Sequence, residues 1–126
     1  CAVEINKKSI EFIKNFSKKN DFNIEPIKID VLNFLKLTDK KFNVIFADPP
    51  YDFNYEKYYE IINIIFKNKI LKNNGFLIIE HSSKIQLNQH DFFFENRKYG
   101  DSKFTFYKYI NNWFSMFSLK IINFIY

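Results

Sequence analysis

FNVIFADPPY, residues 42–51, is the stretch of the chain that decides the fold. The nearly continuous apolar run from Phe42 to Ala47 predicts a strand that is buried on both faces of a sheet. Two consecutive prolines then end the strand, because a proline has no N–H to donate to a parallel ladder. The stretch therefore predicts a parallel strand with Asp48 at its carboxyl end.

Strand and helix patterns alternate around this stretch. In chain order they predict strands over 2–5, 24–29, 42–47 and 76–80. A helix with Ile10, Ile13 and Phe16 on one face follows the first strand, and a short helix with Val31, Phe34 and Leu35 on one face follows the second. A third helix, over 56–66, precedes the last of these strands. Such alternation predicts an α/β fold, in which helices cover a parallel sheet. Ligands of such sheets bind at the carboxyl ends of the strands.

The second half of the chain carries more detailed predictions. The helix over 56–66 is expected to turn Tyr59, Ile62 and Phe66 inward. The Asn-Asn-Gly cluster at 73–75 is expected to break the chain before the next strand. Aromatic runs at 92–94 and 104–107, joined through Gly100 and Asp101, predict a closing antiparallel hairpin.

Length and composition indicate one domain. The chain has 126 residues, a net charge of +5 and a single cysteine, Cys1, so no internal disulfide can form, as expected of a protein from a reducing cytosol. Positive charge favours an anionic partner such as nucleic acid, but Lys, Asn, Ile, Phe and Tyr all have AT-rich codons, so we discount the lysine excess. The start at Cys1 looks like a cut. The apolar run from Trp113 to Tyr126 is too short, and interrupted by Lys120, to predict a membrane anchor.

The residues after the central strand carry the chemistry. Asp48, the Pro49 carbonyl and the Tyr51 ring are expected to converge just beyond the sheet, on a backbone that Pro49 and Pro50 make stiff. The exocyclic amino group of a nucleobase is a poor nucleophile because its lone pair is delocalised into the ring. Acceptors at its two N–H groups favour pyramidalisation and direct the lone pair at an electrophilic methyl group, while Tyr51 stacks on the extruded base. Asp48, Pro49, Pro50 and Tyr51 are therefore candidate catalytic residues for amino-methyl transfer.

A plainer interpretation is that Asp-Pro-Pro-Tyr is a strand-terminating turn with an exposed tyrosine, since Asp and Pro are common turn residues. The buried strand before it favours the catalytic interpretation. The motif is specific for an amino group and says little about which base carries it.

Two further acids end predicted strands. Glu4 ends the first, where nucleotide-binding domains place an acid that holds ribose hydroxyls, and Asp30 ends the next, where it could accept a hydrogen bond from an adenine amino group. The plainer interpretations are a surface glutamate and the N-cap of the following helix. With Asp48, these residues give three acids at the ends of three successive strands, which strengthens their assignment as cofactor-binding residues.

Other polar residues give weaker signals. Arg97, Tyr99 and Gly100 predict a substrate-binding RNA contact, or equally a turn with a solvated arginine. His81 and His90 are conceivable general bases, but a solvated or capping role is favoured, because the amino proton leaves easily once the nitrogen is cationic. No cluster has metal-ligand spacing, so no metal is predicted.

The stretch 42–51, together with Val3-Glu4-Ile5, Asp30 and residues 97–101 (RKYGD), resembles the RsmD-type 16S ribosomal RNA guanine-N2-methyltransferases over roughly Cys1 to Ile110. The resemblance implies a class I S-adenosylmethionine-dependent methyltransferase sheet of the Rossmann-like kind, with a C-terminal antiparallel hairpin. It implies S-adenosylmethionine as cofactor, with Glu4 on its ribose and Asp30 on its adenine, and Asp48 to Tyr51 on the target guanine. It further implies a monomer that acts in the cytoplasm on 16S ribosomal RNA or the assembling small subunit, with no metal and no membrane.

The chain departs from this family in two respects. The first strand and the glycine-rich loop that wraps the methionine part of the cofactor are missing, because Gly75 and Gly100 are the only glycines. Loss of that strand exposes ladder groups of its neighbours, so we expect the isolated chain to be marginally stable and to bind cofactor poorly. Residues 1–110 are thus expected to form a partial methyltransferase domain, and 111–126 an apolar tail of unknown role.

Three alternatives stay open. An adenine-N6 DNA methyltransferase would use the same tetrapeptide, but a target-recognition insertion has little room in this chain. A nonenzymatic RNA-binding remnant of a methyltransferase would follow from loss of the cofactor loop. A decaying reading frame with no function would explain the unusual tail.

Overall fold

A computed structural model describes residues 1–4, 6–21, 23, 25–50 and 52–110. Its elements, in chain order, are β1 (Ala2–Glu4), α1 (Lys7–Lys19), β2 (Pro26–Lys28), α2 (Val31–Leu37), β3 (Phe42–Ala47), α3 (Tyr55–Lys67), β4 (Leu71–Ser82), β5 (Phe93–Tyr99) and β6 (Ser102–Tyr107). The predicted alternation of strands and helices, and the C-terminal antiparallel hairpin, are confirmed. The predicted tail and Tyr51 lie outside the described residues.

The chain divides into two compact units. The first consists of Cys1–Lys41 and Phe53–Ile70, and the second of Phe42–Asp52 and Leu71–Tyr126. In the first unit, β1 and β2 pair in parallel, with Val3 opposite Ile27. The crossover between these strands is α1, and α2 and α3 belong to the same unit.

Each helix of the first unit begins at a polar N-cap. The side chains of Asn6, Asp30 and Asn54 accept hydrogen bonds from backbone N–H groups of the first turns of α1, α2 and α3. These bonds satisfy donors that a helix cannot pair internally, and each cap contributes about 1 kcal/mol. Short polar side chains before apolar helical patterns therefore set all three starting points.

The buried face of α3 differs by one residue from the prediction. Its buried residues are Tyr58, Ile61, Ile62, Ile65 and Phe66. They recur at spacings of three and four, so they form one stripe. Tyr59, which was predicted to face inward, lies beside that stripe and is half-buried; its hydroxyl is 3.2 Å from that of Tyr55.

The second unit is a four-stranded mixed sheet with the strand order β3-β4-β6-β5. β3 and β4 are parallel, whereas β6 is antiparallel to both β4 and β5. One face of this sheet is its core, where Leu77, Ile79, Thr105 and Tyr107 are almost completely buried. The Tyr107 hydroxyl donates a hydrogen bond to the Leu87 carbonyl, which attaches the segment after β4 to the sheet.

The predicted chain break at residues 73–75 is wrong. β4 runs unbroken from Leu71 to Ser82, and the ladder to β3 shifts register between Phe42 and Val44. A Cβ atom added to Gly75 would lie 2.5 Å from the carbonyl oxygen of Asn43, so the two backbones approach more closely than any side chain allows. The glycine here serves an irregular strand pairing instead of a turn.

The opposite face of the sheet is largely open. Val44 and Phe46 on β3 are 57% and 55% exposed, and Phe94 and Tyr99 on β5 are also exposed. β3 is an edge strand of this sheet. The prediction that β3 is buried on both faces is therefore wrong for the described residues, since Val44 and Phe46 are exposed and Phe42, Ile45 and Ala47 are half-buried.

Candidate functional site

Asp48 lies where the sequence predicted it, directly after β3. Ala47 pairs with Ile79 of β4 in a parallel ladder, so Asp48 leaves the sheet at the carboxyl ends of both strands. Asp48 and Pro50 are exposed and Pro49 is half-buried. This placement presents one carboxylate and the Pro49 carbonyl in a short segment whose φ angles the two prolines restrict.

The hairpin of β5 and β6 reaches the same end of the sheet. Ser82, the last residue of β4, pairs with Ser102, the first residue of β6, and the Ser83 N–H donates to the Asp101 carbonyl at 2.8 Å. Gly100 makes the turn with a φ of 59°, a conformation that glycine adopts without strain. In the second unit, therefore, the hairpin tip and the Asp48 loop share the edge where α/β sheets bind ligands.

Arg97 lies within β5 and not in the turn, so the solvated-turn interpretation is wrong in its placement. Arg97 pairs with Phe104 of β6, which pairs in turn with Glu80 of β4, two rows from the end of the sheet. Its guanidinium is exposed, lies 2.8 Å from Glu95 Oε1 and stands 5.3 Å from the ring centre of Phe106. The hydrogen bond and negative charge of Glu95 raise the pKa of Arg97 above its ordinary value. Arg97 therefore stays positively charged, and the carboxylate of Glu95 partly compensates that charge.

Tyr99 ends β5 and is 61% exposed. Its ring packs against the ring of Phe104 in an edge-to-face arrangement, with 5.6 Å between the ring centres, which orients the tyrosine while most of its surface stays exposed. An exposed, oriented aromatic ring at a ligand-binding edge is a suitable platform for a base.

Glu4 and Asp30 lie at the carboxyl ends of the neighbouring strands β1 and β2 in the first unit, Glu4 as the last residue of β1 and Asp30 two residues after β2. Glu4 Oε1 accepts a hydrogen bond from the Asn6 N–H at 2.9 Å, and the Glu4 carbonyl accepts from the Ile29 N–H. Asp30 Oδ2 accepts from the Asn33 N–H at 3.1 Å, so the N-cap interpretation of Asp30 is confirmed. Each bond holds its carboxylate in place, and a carboxylate has capacity for several hydrogen bonds. Asp48 belongs to the other unit.

The prediction of a solvated or capping His81 is wrong. Its side chain is only 2% exposed, with Nε2 2.7 Å from Thr105 Oγ1 and Nδ1 2.9 Å from the Ser82 carbonyl. Burial lowers the pKa of His81; the Ser82 carbonyl opposes this shift and the charge of Lys103 adds to it. Leu77, Ile79 and His81 alternate along one face of β4, and this period of two was the sequence signal of a buried position.

His90 takes the capping role that was predicted. Its Nδ1 accepts a hydrogen bond from the Phe92 N–H at 3.1 Å, in the segment before β5. Burial lowers the pKa of His90, and the charge of Asp91 partly offsets that effect. Among the described residues, no group of His, Cys, Asp and Glu side chains is arranged to hold a metal ion.

A family model described as Conserved hypothetical protein 95, which corresponds to the RsmD family, matches residues 1–108. The chain belongs to this family. The predicted RsmD-type resemblance is thereby confirmed, and residues 42–51 and 97–101 both lie inside the matched region. None of the described helices is long and apolar enough to cross a membrane.

A curated relative is the Ribosomal RNA small subunit methyltransferase D of Buchnera aphidicola subsp. Acyrthosiphon pisum (strain APS), which is 37% identical over 84 residues. The match covers 65% of this chain and 43% of that relative, so the chain spans less than half of the relative's length.

Two solved structures show the fold of this RsmD-type chain. One is the candidate methylase HI0767 from Haemophilus influenzae, with a TM-score of 0.69 and 23% identity, covering 83% of this chain and 68% of that one. The other is the SAH-bound methyltransferase PaMTH1 from Podospora anserina, with a TM-score of 0.62 and 15% identity, covering 86% and 59%. The predicted class I methyltransferase fold is confirmed.

Proposed function

We propose that this chain is part of an S-adenosylmethionine-dependent N-methyltransferase that modifies the exocyclic amino group of a guanine in 16S ribosomal RNA. The observation that carries the proposal is the position of Asp48-Pro49-Pro50, at the carboxyl ends of two parallel strands in a chain of the RsmD family. The name of the Buchnera relative supports ribosomal RNA of the small subunit as the substrate class.

Asp48 and the Pro49 carbonyl are the groups that act on the target amino group. Each accepts one N–H of the guanine amino group, which favours the pyramidal nitrogen and exposes its lone pair. Pro49 and Pro50 keep these acceptors in place before the base arrives, so little entropy is lost on binding. Tyr51 stacks on the base. After transfer the nitrogen is cationic, and its proton passes readily to water or to Asp48.

S-adenosylmethionine, when bound, supplies the electrophilic methyl group. The residues of this chain fit its adenosine part, because Glu4 and Asp30 present two oriented carboxylates at neighbouring strand ends, suited to the ribose hydroxyls and the adenine amino group. They do not fit the methionine part, since Gly75 lies within β4 and Gly100 in the hairpin turn.

The hairpin supplies the substrate contacts in this proposal. Tyr99 offers an exposed ring and Arg97 an exposed cation at the same sheet edge as Asp48. Residues 1–110 then form the methyltransferase domain, and residues 111–126 have no assigned role. The protein would act as a monomer in the cytoplasm, on 16S ribosomal RNA or the assembling small subunit.

The experiment that tests this function is methyl transfer from labelled S-adenosylmethionine into unmodified 16S ribosomal RNA by the full-length protein. We expect label on a guanine N2 that is lost in Asp48→Asn, which keeps the shape of the side chain and removes its charge. Asp52→Asn is the matched control, since Asp52 is an exposed carboxylate four residues further along the same segment. Equal loss in both variants, or no transfer by folded protein, would contradict the proposal and favour an RNA-binding remnant.

A further inference from the structure

Two lysines face each other across the hairpin at the functional edge of the second unit. Lys98 on β5 pairs directly with Lys103 on β6, one row from the turn, and Lys103 pairs in turn with His81 on β4. Residues directly opposite in an antiparallel pair have Cβ atoms only about 5 Å apart. The ladder therefore brings the stems of two ammonium groups together on one face of the sheet.

This arrangement is unfavourable unless a negative charge relieves it. Like charges directly opposite on a sheet are destabilising. Among the described residues, neither Lys98 nor Lys103 forms an ion pair. Asp101 is the acidic residue of the turn, and its side chain forms no ion pair with either lysine.

The neighbouring basic groups, Arg97 and His81, already have partners within the protein. Arg97 is paired with Glu95 at 2.8 Å, so a carboxylate already offsets its charge. His81 is buried, and both of its ring nitrogens lie within hydrogen-bond distance of protein oxygens. The uncompensated positive charge of the hairpin therefore resides on Lys98, which is exposed, and Lys103, which is half-buried.

We propose that Lys98 and Lys103 together bind a phosphate of the RNA backbone. The RNA as partner rests on the proposed function, whereas the need for an anion rests on the paired lysines themselves. A phosphodiester between the two ammonium groups removes their repulsion and accepts charge-assisted hydrogen bonds from both. The contact positions the strand and carries no sequence information, which leaves base recognition to the Asp48 loop and Tyr99.

The plainer explanation is that these are two of many solvated lysines in a lysine-rich chain. Lys18 and Lys19 on α1 represent that class, because consecutive helix positions point in different directions. Lys98 and Lys103 differ from them, since the strand register holds both on one face at the edge that carries Asp48. Charge reversal distinguishes the two explanations.

The test measures binding of a fluorescein-labelled single-stranded 16S RNA fragment to the full 126-residue chain by anisotropy, over a series of salt concentrations. We expect Lys98→Glu and Lys103→Glu each to weaken binding and to lower the slope of log K against log salt by about 0.7, the value for one lost phosphate contact. Each change also places opposite charges across the ladder, so the melting temperature stays level or rises. Lys18→Glu, with the same change in net charge, is the matched control.

If Lys18→Glu weakens RNA binding as much as Lys98→Glu and Lys103→Glu do, the proposal is overturned, because the change in net charge would then explain all three losses. If a glutamate variant unfolds, Lys98→Gln and Lys103→Gln replace it, and a lower slope of log K against log salt in these variants is the expected result. A specific loss of RNA affinity in the 126-residue chain, together with no methyl transfer by the full-length protein, would support the lysine pair and count against the enzyme. Methyl transfer with unchanged RNA affinity in both variants would overturn the pair and leave the enzyme standing.

Discussion

The imidazole of His81 lies 2.7 Å from the hydroxyl of Thr105, inside the sheet of the second unit. The Ser82 carbonyl can only accept a hydrogen bond, so His81 Nδ1 donates to it. Because burial lowers the pKa of His81, the ring is neutral above its ordinary pKa of 6.5, and Nε2 of the neutral ring accepts a hydrogen bond from the threonine hydroxyl. A second proton on Nε2 would remove the acceptor that Thr105 uses.

The first prediction concerns the pH dependence of stability. Because burial lowers the pKa of His81 below its ordinary 6.5, the unfolded chain binds the proton first as pH falls. The stabilisation from a neutral His81 is therefore complete above pH 6.5 and is lost as pH falls towards the folded pKa, with a slope of at most about 1.4 kcal/mol per pH unit. Urea unfolding between pH 8 and pH 5 measures it.

The comparison for that experiment is His81→Gln, which does not titrate in this range. The difference in free energy of unfolding between the two proteins should narrow as pH falls. His90 is present in both proteins, and burial lowers its pKa too, so its contribution cancels. A constant difference across the range would show that His81 does not titrate differently on folding.

The second prediction is that Thr105→Val destabilises the protein by about 1–3 kcal/mol, although valine has the same shape, because His81 Nε2 loses its donor in a buried site. Thr105→Ser is the matched control: it keeps the hydroxyl and loses a methyl group. Thermal and urea unfolding should rank wild type first, serine second and valine last. A valine variant as stable as wild type would mean that the hydrogen bond contributes nothing net.

The third prediction is that Gly75→Ala destabilises the protein by about 1–3 kcal/mol. The added Cβ would lie 2.5 Å from the Asn43 carbonyl oxygen and 2.9 Å from Leu71 Cδ1, so the backbone of β3 and the Leu71 side chain must both move. Asn74→Ala, at an exposed neighbour in the same strand, is expected to change stability by less than about 0.5 kcal/mol. Equal effects of the two substitutions would argue against a close approach of β3 and β4.

The fourth prediction concerns association through the open side of the second unit. Val44 and Phe46 are exposed on an edge strand, and such strands pair with other chains unless a charge blocks them. The isolated chain should therefore form oligomers as concentration rises, and Val44→Lys should reduce them with little loss of stability. Light scattering after size-exclusion chromatography measures this. Phe12→Lys, at a residue that is 69% exposed on α1, is the control, and it should leave association unchanged.

The fifth prediction is weak cofactor binding by the 126-residue chain. In the proposed cofactor site Glu4 and Asp30 hold the adenosine part, but neither Gly75 nor Gly100 is placed to form a loop around the methionine part. Isothermal titration with S-adenosylhomocysteine should give no saturable binding at micromolar concentration, while folding is checked by circular dichroism. Tight binding would show that the described strand ends suffice for the whole cofactor.

The sequence by itself determined the local features. Two prolines after an apolar run predict that β3 ends at Ala47, and a polar residue before a helical pattern predicts the cap at Asp30. Glycine at position 100 predicts the hairpin turn. These features depend on steric and hydrogen-bonding preferences of a few neighbouring residues, so a single sequence contains them.

Only the tertiary structure decided which residues meet. The opposition of Lys98 and Lys103 follows from the register of β5 and β6, and the burial of His81 against Thr105 follows from the pairing of β4 with β6. The role of Gly75 depends on how closely β3 passes. In α3, Ile62 and Phe66 are buried as predicted, but Tyr58 is buried instead of Tyr59. Strand register and packing depend on contacts between residues distant in the chain, and no local pattern specifies them.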